Sequence, residues 1–286
     1  MNKKDYLPEK NLNISSNKFN QKKVNIIVPF HIPKIVFLHK LLKSFELNKP
    51  YVDLYLVFTN QKEYYFTKKK LNLKGVKIII LPSNINKSLL NKKNIYPSFK
   101  KFYALDKVIK NNQYSICIDS ESILLNLRDI FNVCKNFCNK KEVYGDICYN
   151  TISINRDSFN FLKYFMPKEI EKEIDLGIYF WFSEIPIYDN KITRKFLDII
   201  QFNNYNNIIE KLSWNAFEYN IYMYYCCLKE NYKIINLNLN LNWSLECNKD
   251  EHIFDKLEER NIILNWRFWK YPKLNRRIKI LYHLDR

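Results

Sequence analysis

The chain has 286 residues, with 47 Lys plus Arg against 29 Asp plus Glu (formal net charge +18), and is 47% hydrophobic and 16% aromatic. This apolar content excludes a disordered chain and suffices for one large domain or two small ones. The three glycines, Gly75, Gly145 and Gly177, lie too far apart for a phosphate-cradling P-loop or a dinucleotide fingerprint, each of which needs several close together.

Residues 1–22 read as a mobile polar tail rich in Lys and Asn, without the apolar centre of a secretory signal. Val24 to Phe30 (VNIIVPF) then predicts a buried strand ended by Pro29 and Pro33. Val36, Leu38, Leu41, Leu42 and Phe45 recur at helical spacing within Ile35 to Leu47, and Pro50 stops that helix before a second strand, Val52 to Thr59. A weaker helix over Lys62 to Leu71 leads to a third strand, Val76 to Leu81. A helix starting at Ser98, with Phe99, Phe102, Leu105 and Ile109 on one face, leads to a fourth, Tyr114 to Ile118. Strand alternating with helix predicts an α/β fold, with a mixed, mainly parallel sheet flanked by helices.

The second half is less regular. Strand-like material over Tyr144 to Asn155 precedes a helix over Asp157 to Phe165 and a dense aromatic run, Gly177 to Phe182. Helices are expected over Lys191 to Phe202 and Trp214 to Lys229, then a strand over Tyr232 to Leu237. Residues 266–286 interleave aromatics with Arg and Lys. The seven cysteines are odd in number and lack C-x-x-C spacing, which predicts reduced thiols in a cytoplasmic protein. Nowhere do 18 apolar residues run uninterrupted, so any membrane contact is expected to be peripheral.

Chemistry concentrates at Ile116 to Glu121 (ICIDSE), directly after the fourth strand. In an extended segment residues i and i+2 point the same way, so Asp119 and Glu121 can address one point beyond the carboxyl edge of the sheet, where open α/β sheets bind ligands. Two oxygen ligands there suit Mg²⁺ or Mn²⁺, whose shell diphosphate oxygens and water complete. The other reading is that the two carboxylates only cap a turn or helix. A Lys100-Lys101 pair on the preceding helix offers positive charge for a diphosphate or belongs to a solvated face, and Asp106 reads as a surface partner for Lys110.

The opening VNIIVPF strand, the SFKKFYALDK helix and the Asp119-Ser120-Glu121 motif together resemble a GT-A glycosyltransferase of the capsule and lipopolysaccharide type. The resemblance is good over Val24 to Leu125 and loose beyond it, and Glu121 stands where that family more often has Asp. It implies a GT-A-like, Rossmann-like fold in which residues 23–150 bind a nucleotide-sugar, a UDP-sugar being favoured, and residues 151–265 bind a glycan or lipid-linked acceptor. It further implies that Pro29, Phe30 and His31 lie near the nucleotide base and Lys101 and Ser120 near the donor. A late His283 would join Asp119 and Glu121 on Mn²⁺ or Mg²⁺.

In LSWNAFEYNIY (Leu212 to Tyr222) the resemblance makes Glu218 an acceptor-side general base, with Trp214, Tyr219 and Tyr222 walling the sugar; Glu218 otherwise reads as a solvent-facing helical residue and the rings as core. The tail 266–286 is read three ways: a lid over the diphosphate, a packed structural element, or a peripheral contact with an anionic membrane on its cytoplasmic face. A nucleotidyltransferase, a basic nucleic-acid-binding protein and an inactive transferase-like domain used for binding are the alternatives. The first normally has a glycine-rich loop that PFHIPK lacks; the second lacks a recognised signature, so no nucleic-acid partner is expected.

Overall fold

Short β-branched runs separated by amphipathic helices leave the first half one economical solution, a parallel sheet with its strands buried on both faces. A computed structural model of the chain describes residues 22–120, 122–147, 152–168, 170, 180–182, 187–236, 263–265 and 280–281. β1 (Val24–Pro29), β2 (Val52–Phe58), β3 (Lys77–Ile80) and β4 (Tyr114–Cys117) are parallel, and β8 (Ile187–Asp189) joins the edge antiparallel to β4, giving the order β3-β2-β1-β4-β8. The connecting helices are α1 (Ile35–Asn48), entered through a 3-10 turn at Ile32–Lys34, α2 (Gln61–Lys70), α3 (Lys87–Lys93) and α4 (Tyr96–Val108). The fold is thus mixed α/β with a mainly parallel central sheet flanked by helices.

Polar side chains fix the register at the start of the strands. Asn25, fully buried in β1, donates to Ser115 Oγ (3.0 Å) in β4 and accepts from Asn112 Nδ2 (2.6 Å). Ser115 Oγ donates in turn to Asn190 Oδ1 (2.8 Å). A buried polar group left unpaired is costly, so a slipped strand would lose the whole set.

The second half supplies β5 (Ser122–Leu124), α5 (Ile130–Lys140), β6 (Glu142–Ile147), α6 (Ile152–Lys163), β7 (Phe180–Phe182), α7 (Asn190–Ile199), α8 (Tyr205–Lys211), α9 (Glu218–Lys229), β9 (Lys233–Asn236), β10 (Ile263–Asn265) and β11 (Ile280–Leu281). Two small sheets, β11-β10-β5 and β7-β6-β9, accompany the central one. Because β8 completes the central sheet, the two halves share a core, in which Phe102 of α4 packs on Phe161 of α6 and Phe196 of α7.

Three of the boundaries that differ from expectation have a local cause. α4 starts at Tyr96, with Pro97 in its first turn, where a missing N–H costs nothing. α9 starts at Glu218, because residues 214–215 form a turn and Phe217 is the N-cap in extended conformation. Residues 152–155, expected as strand, belong to α6; their local alternation is strand-like, and the helix that follows overrides it.

Candidate active site

The chain leaves β1 toward β2 and β3 on one side and returns to β4 on the other, so the strand order reverses between β1 and β4. Such a switch point opens a crevice beyond the carboxyl ends of its two strands. At the end of β1, Phe30 is buried and its N–H donates to Val57 O (3.0 Å), while the side chain of the next residue, His31, is 74% exposed. Pro29 is the last residue of β1, paired with Val57. At the end of β4, Ile118 N–H donates to Ile27 O (2.9 Å), and Asp119 O accepts from Ser122 N (3.0 Å) across a turn. Ser120 is buried by that turn, whereas the Asp119 side chain is 45% exposed.

Two elements distant in sequence bring opposite charges to the same place. Lys101, on α4, puts its Nζ 2.7 Å from Glu218 Oε1 and 3.5 Å from Asp119 Oδ1. The side chains of Lys101 and Glu218 are 12% and 4% exposed, so this is a nearly dry ion pair with one half-open neighbour. Burial alone would lower the Lys101 pKa; the Glu218 and Asp119 carboxylates outweigh it and hold the ammonium well above the ordinary lysine value. Glu218 is the first residue of α9, where the helix dipole favours a negative charge. Beneath the pair, burial pushes the Cys117 thiol far up despite the nearby Lys101, which leaves it a protonated core group rather than a nucleophile.

The neighbouring lysine does something else. Helical rotation between consecutive residues turns Lys100 away from Lys101, and its buried ammonium donates to the Phe30 carbonyl and lies 3.4 Å from Glu63 Oε2. Glu63 itself completes a cap at the start of α2: its N–H donates to Asn60 Oδ1 (2.9 Å) and its carboxylate accepts from Thr59 N (2.5 Å). Lys100 therefore ties the end of β1 to the start of α2. Sequence reasoning missed Glu63, although Asn60-x-x-Glu63 is a recognisable capping signal.

Asp106 does not pair with Lys110 as expected. It accepts from Arg194 Nη1 (3.1 Å) on α7 and from Lys107 Nζ (3.0 Å), because α7 packs over that face of α4.

Of the expected acceptor-side rings, Trp214 is 56% exposed in the turn before α9. Tyr219 is buried edge-to-face against Tyr188, and Tyr222 is buried between Tyr188 and Phe196, so both rings belong to the core wall behind Glu218. Glu121 and His283 lie outside the described residues. Among the described residues no group of three His, Cys, Asp or Glu is placed to hold a metal ion. A half-exposed carboxylate at a strand end nonetheless suits a hard cation, since Mg²⁺ takes only one or two protein carboxylates and fills its shell from phosphate and water. Asp119 fits that part.

No protein-family model matches the chain, and comparison with curated proteins finds no relative. Among solved structures, the glycosyltransferase GlyE of Streptococcus pneumoniae TIGR4 is 15% identical over 90% of this chain and 57% of its own, with a TM-score of 0.44. The mannosyltransferase Ktr4p from S. cerevisiae, in complex with GDP, is 11% identical over 71% and 66%, with a TM-score of 0.43. S. aureus TarS 1-349 is 15% identical with a TM-score of 0.30; the match takes in 43% of this chain and spans about a third (35%) of that one. Likenesses this distant identify neither a family nor an activity.

Proposed function

We propose that the chain transfers a sugar from a nucleotide-diphosphate donor to a hydroxyl of a glycan or lipid-linked acceptor, in a GT-A-type site serving surface polysaccharide or glycan synthesis. The observation that carries this reading is the meeting of Lys101, Asp119 and Glu218 at the β1/β4 switch point. Residues 23–150 then bind the donor, UDP-linked by preference, with the base near Pro29, Phe30 and His31. Residues 151–265 supply the acceptor side.

As the glycosidic bond to the diphosphate breaks, negative charge grows on the leaving oxygens. Despite burial, Glu218 and Asp119 raise the Lys101 pKa above the ordinary lysine value, which keeps it charged in a nearly dry pocket, where a fixed positive charge stabilises that change more than it could in water. Glu218 is the group placed to take the proton from the acceptor hydroxyl, which becomes nucleophilic as the sugar approaches an oxocarbenium-like state. Trp214, exposed in the turn before α9, would offer an aromatic face to the acceptor sugar. Asp119, joined by Glu121 and His283 as the resemblance implies, would hold Mn²⁺ or Mg²⁺, which when bound neutralises charge on the diphosphate.

The test is donor hydrolysis and transfer with a UDP-sugar panel, with and without EDTA, for the wild type, Lys101→Met, Asp119→Asn and Glu218→Gln. The reading expects turnover that all three substitutions depress. Wild-type rates in Lys101→Met and Glu218→Gln would remove the site assignment, and rates unaffected by EDTA would remove the metal alone.

A further inference from the structure

The outer faces of α1 and α2 carry most of the apolar surface exposed among the described residues. Five of the seven exposed large hydrophobic side chains, Ile32, Val36, Leu47, Tyr65 and Phe66, lie on these helices or the turn entering them. Val36, Lys40, Lys43 and Leu47 form one stripe along α1, while Lys62, Tyr65, Phe66, Lys69 and Lys70 form the matching face of α2. Successive right-handed crossovers put both helices on the same side of the sheet, and a groove of about 520 Å³ runs between them, lined among others by Val36, His39, Lys40, Phe66 and Lys70.

Charge on this face is one-sided. The two helices contain only two acids: Glu46, bound to Lys49 at 2.5 Å, and the buried Glu63. Lys43, Lys62, Lys69 and Lys70 make no ion pair among the described residues. Exposed aliphatic and aromatic side chains interleaved with Lys43, Lys62, Lys69 and Lys70 match a surface that is apolar just beneath a layer of negative charge.

We propose that the α1–α2 face docks on an anionic lipid bilayer. Val36, Leu47, Tyr65 and Phe66 would sit at headgroup level while the lysines meet lipid phosphates. A polynucleotide would reward the lysines and the aromatic rings but gain nothing from Val36 or Leu47. The stripe runs from Val36 to Leu47, nearly the full length of α1, so docking lays this helix along the membrane. The proposal stands on this surface alone and is independent of the transferase reading.

Co-sedimentation tests it, using vesicles of phosphatidylcholine with and without phosphatidylglycerol. The wild type should bind only the anionic vesicles and be released by salt. Val36→Asp/Phe66→Asp should weaken binding by about tenfold or more, and Lys62→Glu/Lys69→Glu/Lys70→Glu by about a hundredfold or more, at roughly fivefold per lysine removed. Every substituted residue is exposed, and unchanged thermal melts would show that both variants fold. Three results would overturn the proposal: no wild-type binding, wild-type binding by both variants, or loss on charge reversal with none from the two aspartates. The last would mark the face as a site for nucleic acid or an acidic protein.

Discussion

Lys101 and Glu218 depend on each other through the fold, as a nearly buried ion pair, and through chemistry in the proposed reaction. A glutamine at 218 keeps shape and hydrogen bonding but cannot accept a proton, so Glu218→Gln should lower transfer by about 10²–10⁴-fold. Donor affinity, read by calorimetry with UDP, should survive. Glu218→Ala removes the closer carboxylate from a nearly buried ammonium, and breaking such a pair costs about 3–5 kcal/mol. Urea unfolding should show that loss, and the double variant Lys101→Met/Glu218→Ala should recover part of it. A double variant no more stable than the single one would mean that the pair is not coupled.

Elements, rather than single side chains, set where those charges stand. The loop after the acidic motif is held from below by α1: Asn48 donates to the carbonyls of Leu124 (3.2 Å) and Leu125 (3.3 Å) and accepts from Leu127 N (2.9 Å), while Ser44 Oγ accepts from Leu124 N (3.0 Å). Asn48→Ala leaves these buried groups unpaired and should cost about 3 kcal/mol, measured by urea unfolding. Lys100 gives α4 a pH dependence. Burial, only partly offset by Glu63, lowers its pKa to about 8, below the 10.5 of an ordinary lysine. Below pH 8 the folded protein bears the full cost of that buried charge. Between about 8 and 10.5 the unfolded chain binds more protons than the folded one, so this contribution to stability rises with pH. Wild type minus Lys100→Met should therefore grow more favourable across that window in thermal melts. A flat difference would contradict the burial of a charged Lys100.

The alternation from β1 to β4 could be read in sequence because each run pairs a clear period with a Pro or a turn at its end. α5 escaped that reading although Ile130, Val133, Cys134, Phe137 and Cys138 keep helical spacing, since two of the five are cysteines among polar neighbours. β8 is three residues long, too short for any period to register; only its pairing with β4 defines it. At the site, Asp119 stands out locally and Glu218 only through the resemblance, and nothing in sequence shows that α4 and α9 bring Lys101 between them. Lys100 and Lys101 are the same residue type side by side, and only the packing of α4 gives one to the fold and the other to the crevice.

At the scale of the whole molecule, the net charge of +18 divides into different uses. Lys101 is sealed into the crevice, Lys100 ties strand to helix, and Lys93 binds the carbonyls of Ile209 (3.1 Å) and Leu212 (3.0 Å) at the end of α8. Lys43, Lys62, Lys69 and Lys70 are left to face outward on α1 and α2. Among the described residues no helix is long and apolar enough to cross a membrane, and the bilayer contact proposed above belongs to the α1–α2 face. Such contact should weaken as salt rises toward and beyond physiological strength, whereas nucleotide binding in the sheltered crevice should change far less. Titrations of both at matched salt would show whether the two groups of lysines act separately.

In the function proposed here, the β1/β4 crevice receives the diphosphate of a nucleotide-sugar through Lys101. Calorimetric titration of the wild type and Lys101→Met with UDP and with GDP, in the presence of Mn²⁺, tests it most directly. The wild type should bind at least one of the two, and the methionine variant, folded by its melting curve, should bind it about tenfold more weakly or worse. Equal affinity in the two proteins, or no binding of either nucleotide by the wild type, would contradict it.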